Sequence, residues 1–168
     1  MAATIVLKPL TKERETFSFD VPDRVRESIK GIACIEGIFD LVELLEEYPT
    51  YDYFVEQAFG KDRALYAGES PTRWELYQDG PFLDFLVLYS RNDELLSKRQ
   101  HESFVRRMGT LCGYDGSIAE TTGVVQSELG RYEVDLKSLE GKHEEVPHSK
   151  ELTVRLVRWV EKLEQERK

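Results

Sequence analysis

The sequence predicts an α+β fold, in which a small, mainly antiparallel sheet is packed by several helices. Its 168 residues suit one domain with one core. Short segments alternate apolar and polar residues, as half-buried strands do, and a C-terminal stretch repeats apolar residues every three or four positions, as helices do. We find no internal repeat and no linker, so we expect residues 1–168 to form a single globular domain.

The first 60 residues are predicted to contain two strands and three helices. Residues 4–10 and 16–21 are strand-like and are expected to pair as a hairpin. After Pro22, apolar side chains recur at helical spacing up to Ala33, and Pro49 and Gly60 are natural ends for the helices that follow. The predicted helices cover 23–30, 35–47 and 50–59.

The middle of the chain permits two interpretations. We prefer a three-stranded meander over residues 63–67, 73–78 and 82–89, with a turn at 68–71. The alternative is one long helix from Pro81 to Cys112, because the apolar run after Pro81 also fits helical spacing.

The last third of the chain is easier to interpret. A helix is predicted to run from Asp93 to Cys112, and a weaker one begins at Ser117. Residues 131–138 alternate as a half-exposed strand. The clearest element is a C-terminal helix over 149–166, whose apolar stripe includes Leu152, Trp159 and Leu163.

Composition excludes several classes of protein. The chain has 23 basic and 32 acidic residues, a net charge of −9, which disfavours binding to nucleic acid or to anionic lipid. No apolar run approaches a membrane span, and the N-terminus lacks the pattern of a signal peptide. We therefore expect a cytoplasmic protein without a membrane partner. Cys34 and Cys112 are expected to be reduced and buried, and no metal or cofactor is predicted.

The sequence offers little for nucleophilic catalysis. The GxSxG pattern around a nucleophilic serine is absent. Of the three histidines, His101 lies in a charged helix, while His143 and His148 lie in a polar connection where we expect them to face solvent. A serine or cysteine triad is therefore disfavoured.

One carboxylate pattern suggests an alternative enzymatic function. Glu133, Asp135 and Lys137 follow one another on one face of a predicted strand, an arrangement that metal-dependent nucleases use to hold a divalent cation and to position water. A further carboxylate from another strand would be needed. A metal-dependent nuclease or phosphodiesterase using these three residues is therefore the second hypothesis.

The leading hypothesis rests on the distribution of charge. Between Gly31 and Gly60 there is no Lys or Arg, and seven acidic residues carry −7 of the net charge. Aromatic residues are interleaved with them. We interpret this stretch as the surface of a non-enzymatic interaction module, of the inhibitor, immunity, chaperone or adaptor type, that binds a protein with a basic surface. A homodimer through the C-terminal helix is compatible with either hypothesis. The predicted partner-binding residues are Glu36, Asp40, Glu43, Glu46, Glu47, Tyr48, Tyr51, Asp52, Tyr53 and Glu56.

Overall fold

A computed structural model describes residues 7–8, 21–76, 83–111, 122–126 and 130–165. The predicted strand at 16–21 falls almost entirely outside these residues, as do the weak helix at Ser117 and the second cysteine, Cys112. β1 (Leu7–Lys8) pairs with β3 (Glu75–Leu76) in a small antiparallel ribbon. The described part of the predicted 4–10 strand thus pairs with a segment far along the chain.

The main sheet has four strands in the order β2–β4–β6–β5. They are β2 (Gly31–Ile35), β4 (Leu83–Ser90), β5 (Thr122–Gln126) and β6 (Gly130–Leu139). β2 and β4 are parallel, β4 and β6 are parallel, and only β5 is antiparallel to its neighbour. The α+β class is confirmed for the described residues, whereas the expectation of a mainly antiparallel sheet is wrong.

The parallel pairing follows from how the strands are connected and buried. The connections from β2 to β4 and from β4 to β6 contain helices, which is the connection that parallel neighbours require. β4 is apolar on both faces, as a strand covered on both sides must be. Phe85, Val87 and Tyr89 lie in one core cluster, while Leu86 and Leu88 lie in the other.

β2 falls between the helices predicted at 23–30 and 35–47. α1 (Asp23–Ser28) matches the first of them, but Gly31–Ile35, whose apolar residues also fit helical spacing, is a strand that the sequence analysis did not predict. Burial alternates along the strand, because Ile32 and Cys34 are buried whereas Gly31, Ala33 and Ile35 are half-buried. Gly31 admits the indole of Trp159 so closely that a Cβ there would lie 2.7 Å from the ring.

Two long helices cover the two faces of the sheet, as the periodicity predicted. α4 (Lys98–Leu111) packs Phe104, Val105 and Met108 on one face. α5 (Lys150–Gln165) packs its predicted stripe, including Trp159 and Leu163, on the other. Among the described residues, no helix is long and apolar enough to cross a membrane.

Shorter elements build a third core cluster beside α4. α2 (Leu41–Glu47) and α3 (Asp52–Phe59), joined by a 3-10 turn at Pro49–Tyr51, match the helices predicted at 35–47 and 50–59, except that 35–40 is not helical. α3 ends at Gly60, which has a φ of 81°. Of the predicted strands around the 68–71 turn, 63–67 contains a 3-10 turn at Arg63–Leu65, and 73–78 contains β3 after a 3-10 turn at Pro71–Arg73. The third predicted strand is β4, but the three do not form a meander, because β3 pairs with β1 and β4 lies in the main sheet.

Candidate active site

Three chemically active side chains lie where three neighbouring strands end. Glu36 directly follows β2, Asp93 follows β4 after a short turn, and His143 follows β6. Because β2, β4 and β6 are parallel, their carboxyl ends meet at one edge of the sheet, the edge at which open sheets of this kind bind ligands. The geometry thus brings together residues that are up to 107 positions apart in sequence.

Asp93 and His143 form an acid–histidine pair. Nδ1 of His143 lies 2.9 Å from Oδ2 of Asp93. The other carboxylate oxygen, Oδ1, accepts hydrogen bonds from the backbone N–H groups of Leu95 and Leu96, and the Asp93 side chain is fully buried. Since an ionised carboxylate can only accept, Nδ1 carries the proton of the neutral ring, which leaves the lone pair on Nε2.

A second acidic residue fixes the backbone at the histidine. Oε2 of Glu94 accepts a hydrogen bond of 3.1 Å from the backbone N–H of His143. The His143 side chain itself is 30% exposed. The ring is therefore held on its Nδ1 side while it remains accessible to a ligand.

The electrostatics of this edge favour a protonated histidine. Burial lowers the pKa of His143, but the hydrogen bond and charge of Asp93, with the charges of Glu36 and Glu94, outweigh burial and raise it. Burial, reinforced by the charge of Asp93, raises the pKa of Glu36 to about 7. Perturbed groups of this kind concentrate at functional sites.

Beside His143 lies an apolar cavity of about 720 Å³. This is within the size range of small-molecule sites. Its charged lining consists of Glu36, Glu69 and His143, and the remainder is mostly aromatic and aliphatic. The aromatic lining residues are Phe39, Tyr51, Tyr53, Phe54, Phe59 and Trp74.

Buried polar side chains of α4 hold the loop that forms one wall of the cavity. Oε1 of Gln100 accepts hydrogen bonds from the backbone N–H groups of Phe39 and Asp40, and its Nε2 donates to the Asp40 carbonyl. Nε2 of His101 accepts from the backbone N–H of Gly37. Burial lowers the pKa of His101 to about 3, so the ring is neutral and can accept this bond.

The residues predicted to bind a partner are divided by the structure. Glu36, Tyr51 and Tyr53 line the cavity. Most of the acids pair within the chain instead, and Glu43 and Glu46 both face Arg99. Asp40 caps α2 and accepts from Thr72, Glu47 accepts from Ser97, Asp52 pairs with Arg63, and Tyr48 stacks on Tyr51. Glu56 is half-buried on α3.

The residues of the nuclease hypothesis face basic groups. Glu133 pairs with Arg155 and Lys162 of α5. Oδ1 of Asp135 accepts hydrogen bonds from the backbone N–H groups of Lys137 and Ser138. Oδ2 of Asp135 accepts a hydrogen bond from the hydroxyl group of Ser138. Although burial opposes it, these bonds hold the pKa of Asp135 below its usual range. Among the described residues, no carboxylate from another strand lies with them.

In the described ranges, one group of three residues is dense enough to suit a metal ion. It consists of Glu36, Asp93 and His143, whose nearest ligand atoms lie within 4.8 Å of one another. Nδ1 of His143 and Oδ2 of Asp93, which belong to two of these residues, are joined by a hydrogen bond. We therefore interpret the group as an acid–histidine site and not as a metal centre.

Comparison with known proteins finds similarity to an enzyme. The chain is 43% identical over 77 residues to the kynurenine formamidase of Eremothecium gossypii, which is 45% of this chain and 30% of that protein. It is 34% identical over 82 residues to that of Scheffersomyces stipitis (47% and 30%) and 37% identical over 76 residues to that of Saccharomyces cerevisiae (43% and 29%). The similarity thus covers under a third of each relative. No protein family and no solved structure matches the chain.

These relatives contradict the leading hypothesis. They are enzymes, so the expectation of a non-enzymatic interaction module with protein binding as its activity is wrong. That expectation depended on the absence of local catalytic motifs, whereas Asp93 and His143 are 50 positions apart and meet only in the folded chain. A homodimer through α5, whose Val157 is 50% exposed, and a cytoplasmic location stay predictions.

The missed site had a weak signal in the sequence. His143 was assigned to a polar connection, which is where it lies, but its partner was not recognised. An acid shortly after one buried strand and a histidine shortly after the next parallel strand is the order in which α/β-hydrolases carry these groups. That signal required residues 83–90 and 130–139 to be recognised first as parallel neighbours.

Proposed function

We propose that this chain carries the acid–histidine pair and the substrate cavity of a hydrolase that cleaves formamides of aromatic amines. The observation that carries the proposal is the 2.9 Å contact between Asp93 Oδ2 and His143 Nδ1 at the mouth of an aromatic cavity. Similarity to kynurenine formamidases supports the same reaction class. The order of the two groups along the chain, acid before histidine, is also that of α/β-hydrolases.

The pair would act by moving one proton at Nε2 of His143. In the first step, Nε2 removes the proton of an attacking hydroxyl group, whose oxygen bonds to the formyl carbon. Asp93 stabilises the resulting imidazolium and keeps the ring in its orientation. In the second step, Nε2–H gives the proton to the amine nitrogen as the C–N bond breaks. Hydrolysis as a whole converts the formamide and water into the amine and formic acid, which ionises to formate.

The attacking hydroxyl group belongs to a serine or to water. Among the described residues, no serine, threonine or cysteine side chain is hydrogen-bonded to the His143 ring. A fluorophosphonate that adds its mass to the protein at a serine would identify a covalent nucleophile. A protein that hydrolyses formamide without such an adduct would identify water.

The cavity favours a flat aromatic substrate. Its lining is dominated by aromatic side chains, with Phe39 and Trp74 at its inner wall, where they are buried. Aromatic rings pack on one another in offset or edge-on arrangements and so select for planar ligands. The acidic lining residue Glu69 disfavours anionic ring substituents near it.

Formanilide, the formamide of aniline, is the simplest probe of this proposal. We expect the protein to release aniline and formate, and we expect Asp93→Asn and His143→Gln to lower kcat/KM by about 10²–10⁴-fold. His148→Gln is the matched control, because His148 is exposed in the same connection and should leave turnover unchanged. A folded protein that leaves formanilide intact, or a His143→Gln variant with wild-type turnover, would overturn the proposal.

A further inference from the structure

Glu36 is an unusual residue at the end of β2. Its φ is 47°, in the left-handed region that residues other than glycine rarely adopt. Its side chain is 3% exposed, and among the described residues its Oε1 atom has no hydrogen-bond partner. A strained backbone and an unpaired buried oxygen each cost stability, and such costs persist where a side chain has a function.

The position of Glu36 is set by the sheet. Its backbone N–H donates to the carbonyl of Leu88 in β4, which continues the parallel ladder one residue beyond β2. Its Oε2 atom then lies 3.9 Å from Nδ1 of His143, whose hydrogen bond goes to Asp93 at 2.9 Å. One imidazole N–H is therefore flanked by carboxyl groups from two different strand ends.

We propose that Glu36 is a positioning residue for His143, a second carboxyl group that accepts the Nδ1–H and stabilises the imidazolium together with Asp93. The inference deepens the proposed function, because it assigns a role within the same site. The 3.9 Å separation is beyond hydrogen-bond distance, so this role requires the histidine ring or the Glu36 side chain to move closer.

Charge balance explains why the second carboxyl group is tolerated. The charged and titratable groups near Glu36 are Asp93, Glu94, His143 and Tyr89. The neutral His101 of α4 lies near His143. When His143 is neutral, repulsion from Asp93 and burial favour a protonated Glu36. When His143 gains a proton, attraction to the imidazolium favours the ionised form. Glu36 thus supplies negative charge when the reaction requires it.

The test is the titration of the His143 ring, followed by ¹⁵N NMR, in the wild type and in two variants. Glu36→Gln keeps the shape of the side chain and removes its charge. Glu144→Gln is the matched control, because Glu144 is exposed and adjacent to His143 in sequence. We expect Glu36→Gln to lower the pKa of His143 by about one unit and Glu144→Gln to leave it nearly unchanged.

A second measurement separates positioning from simple charge effects. In Asp93→Asn, we expect Nδ1 to stay the protonated nitrogen because Glu36 accepts its hydrogen bond, and we expect this preference to be lost in Asp93→Asn with Glu36→Leu. Equal His143 titrations in Glu36→Gln and Glu144→Gln, or equal tautomer populations in the single and double variants, would overturn the inference. Neither readout needs turnover, so failure to hydrolyse formanilide would refute the proposed function alone.

Discussion

Replacing Gln100 by leucine should destabilise the protein and loosen the cavity wall. The Gln100 side chain is 0% exposed and makes three hydrogen bonds of 2.9–3.0 Å to the backbone of Phe39 and Asp40. Leucine has a similar size, but its side chain can neither accept nor donate a hydrogen bond. The change leaves two backbone N–H groups without their acceptor, while the Asp40 carbonyl still accepts from the backbone N–H of Leu44. Each unsatisfied buried group costs about 1–3 kcal/mol. Allowing for relaxation of the loop, we expect a loss of about 3–5 kcal/mol in the free energy of unfolding.

Urea unfolding monitored by circular dichroism measures this loss. Gln57→Leu is the matched control, because Gln57 is exposed on α3 and should change the free energy of unfolding by no more than about 0.5 kcal/mol. A Gln100→Leu variant within about 1 kcal/mol of the wild type would refute the reasoning. It would mean that the backbone of residues 37–40 does not depend on α4 for its hydrogen bonds.

Three further predictions concern the sheet and its surroundings. Gly31→Ala should lower the free energy of unfolding, measured in urea, by about 1–3 kcal/mol. A Cβ there would lie 2.7 Å from an indole carbon of Trp159 and 2.9 Å from a backbone oxygen. Gly123→Ala is the control and should be nearly neutral, because a Cβ there would have no atom within 4 Å. His101, whose pKa falls from 6.5 to about 3 on burial, binds fewer protons folded than unfolded, so its contribution to stability is complete above pH 6.5 and is lost as the pH falls toward 3. His101→Gln should therefore lose less stability than the wild type between pH 6 and 4 in urea titrations. Arg131→Met should cost about 3–5 kcal/mol, because it breaks the buried ion pair with Asp84, whose carboxylate oxygen lies 2.7 Å from Nε of Arg131. Adding Asp84→Leu should recover most of that loss, since replacing both members of a buried ion pair by apolar residues is often nearly neutral.

Local patterns predicted the parts of the fold that depend on one strong periodicity. The C-terminal helix was predicted because its apolar residues repeat over four turns, and it was found as α5. β2 was missed because Ile32 fits both a helical and an alternating pattern in so short a segment. Only the pairing with β4 decides between the two patterns. In that pairing Gly31 lies opposite Asp84, which is 53 positions further along the chain.

The candidate site was harder to predict for the same reason. Acidic residues and histidines are ordinary surface residues until the fold places them together. Glu36 was singled out for its charge, but its burial beside His143 depends on a parallel sheet that the sequence did not predict. Asp93 is the predicted start of a helix that in the structure begins only at Lys98, and its carboxylate lies buried against the histidine ring.

The central claim is that His143 is the general base of a hydrolase, and the pH dependence of kcat/KM for formanilide tests it most directly. A general base must be unprotonated, so activity should rise with pH through the pKa of the His143 ring. Because the acids around it raise that pKa above 6.5, we predict an acidic limb whose midpoint lies above 6.5 and coincides with the ring titration seen by NMR. An acidic limb that does not coincide with the ring titration, or a rate that does not change as His143 titrates, would contradict the account.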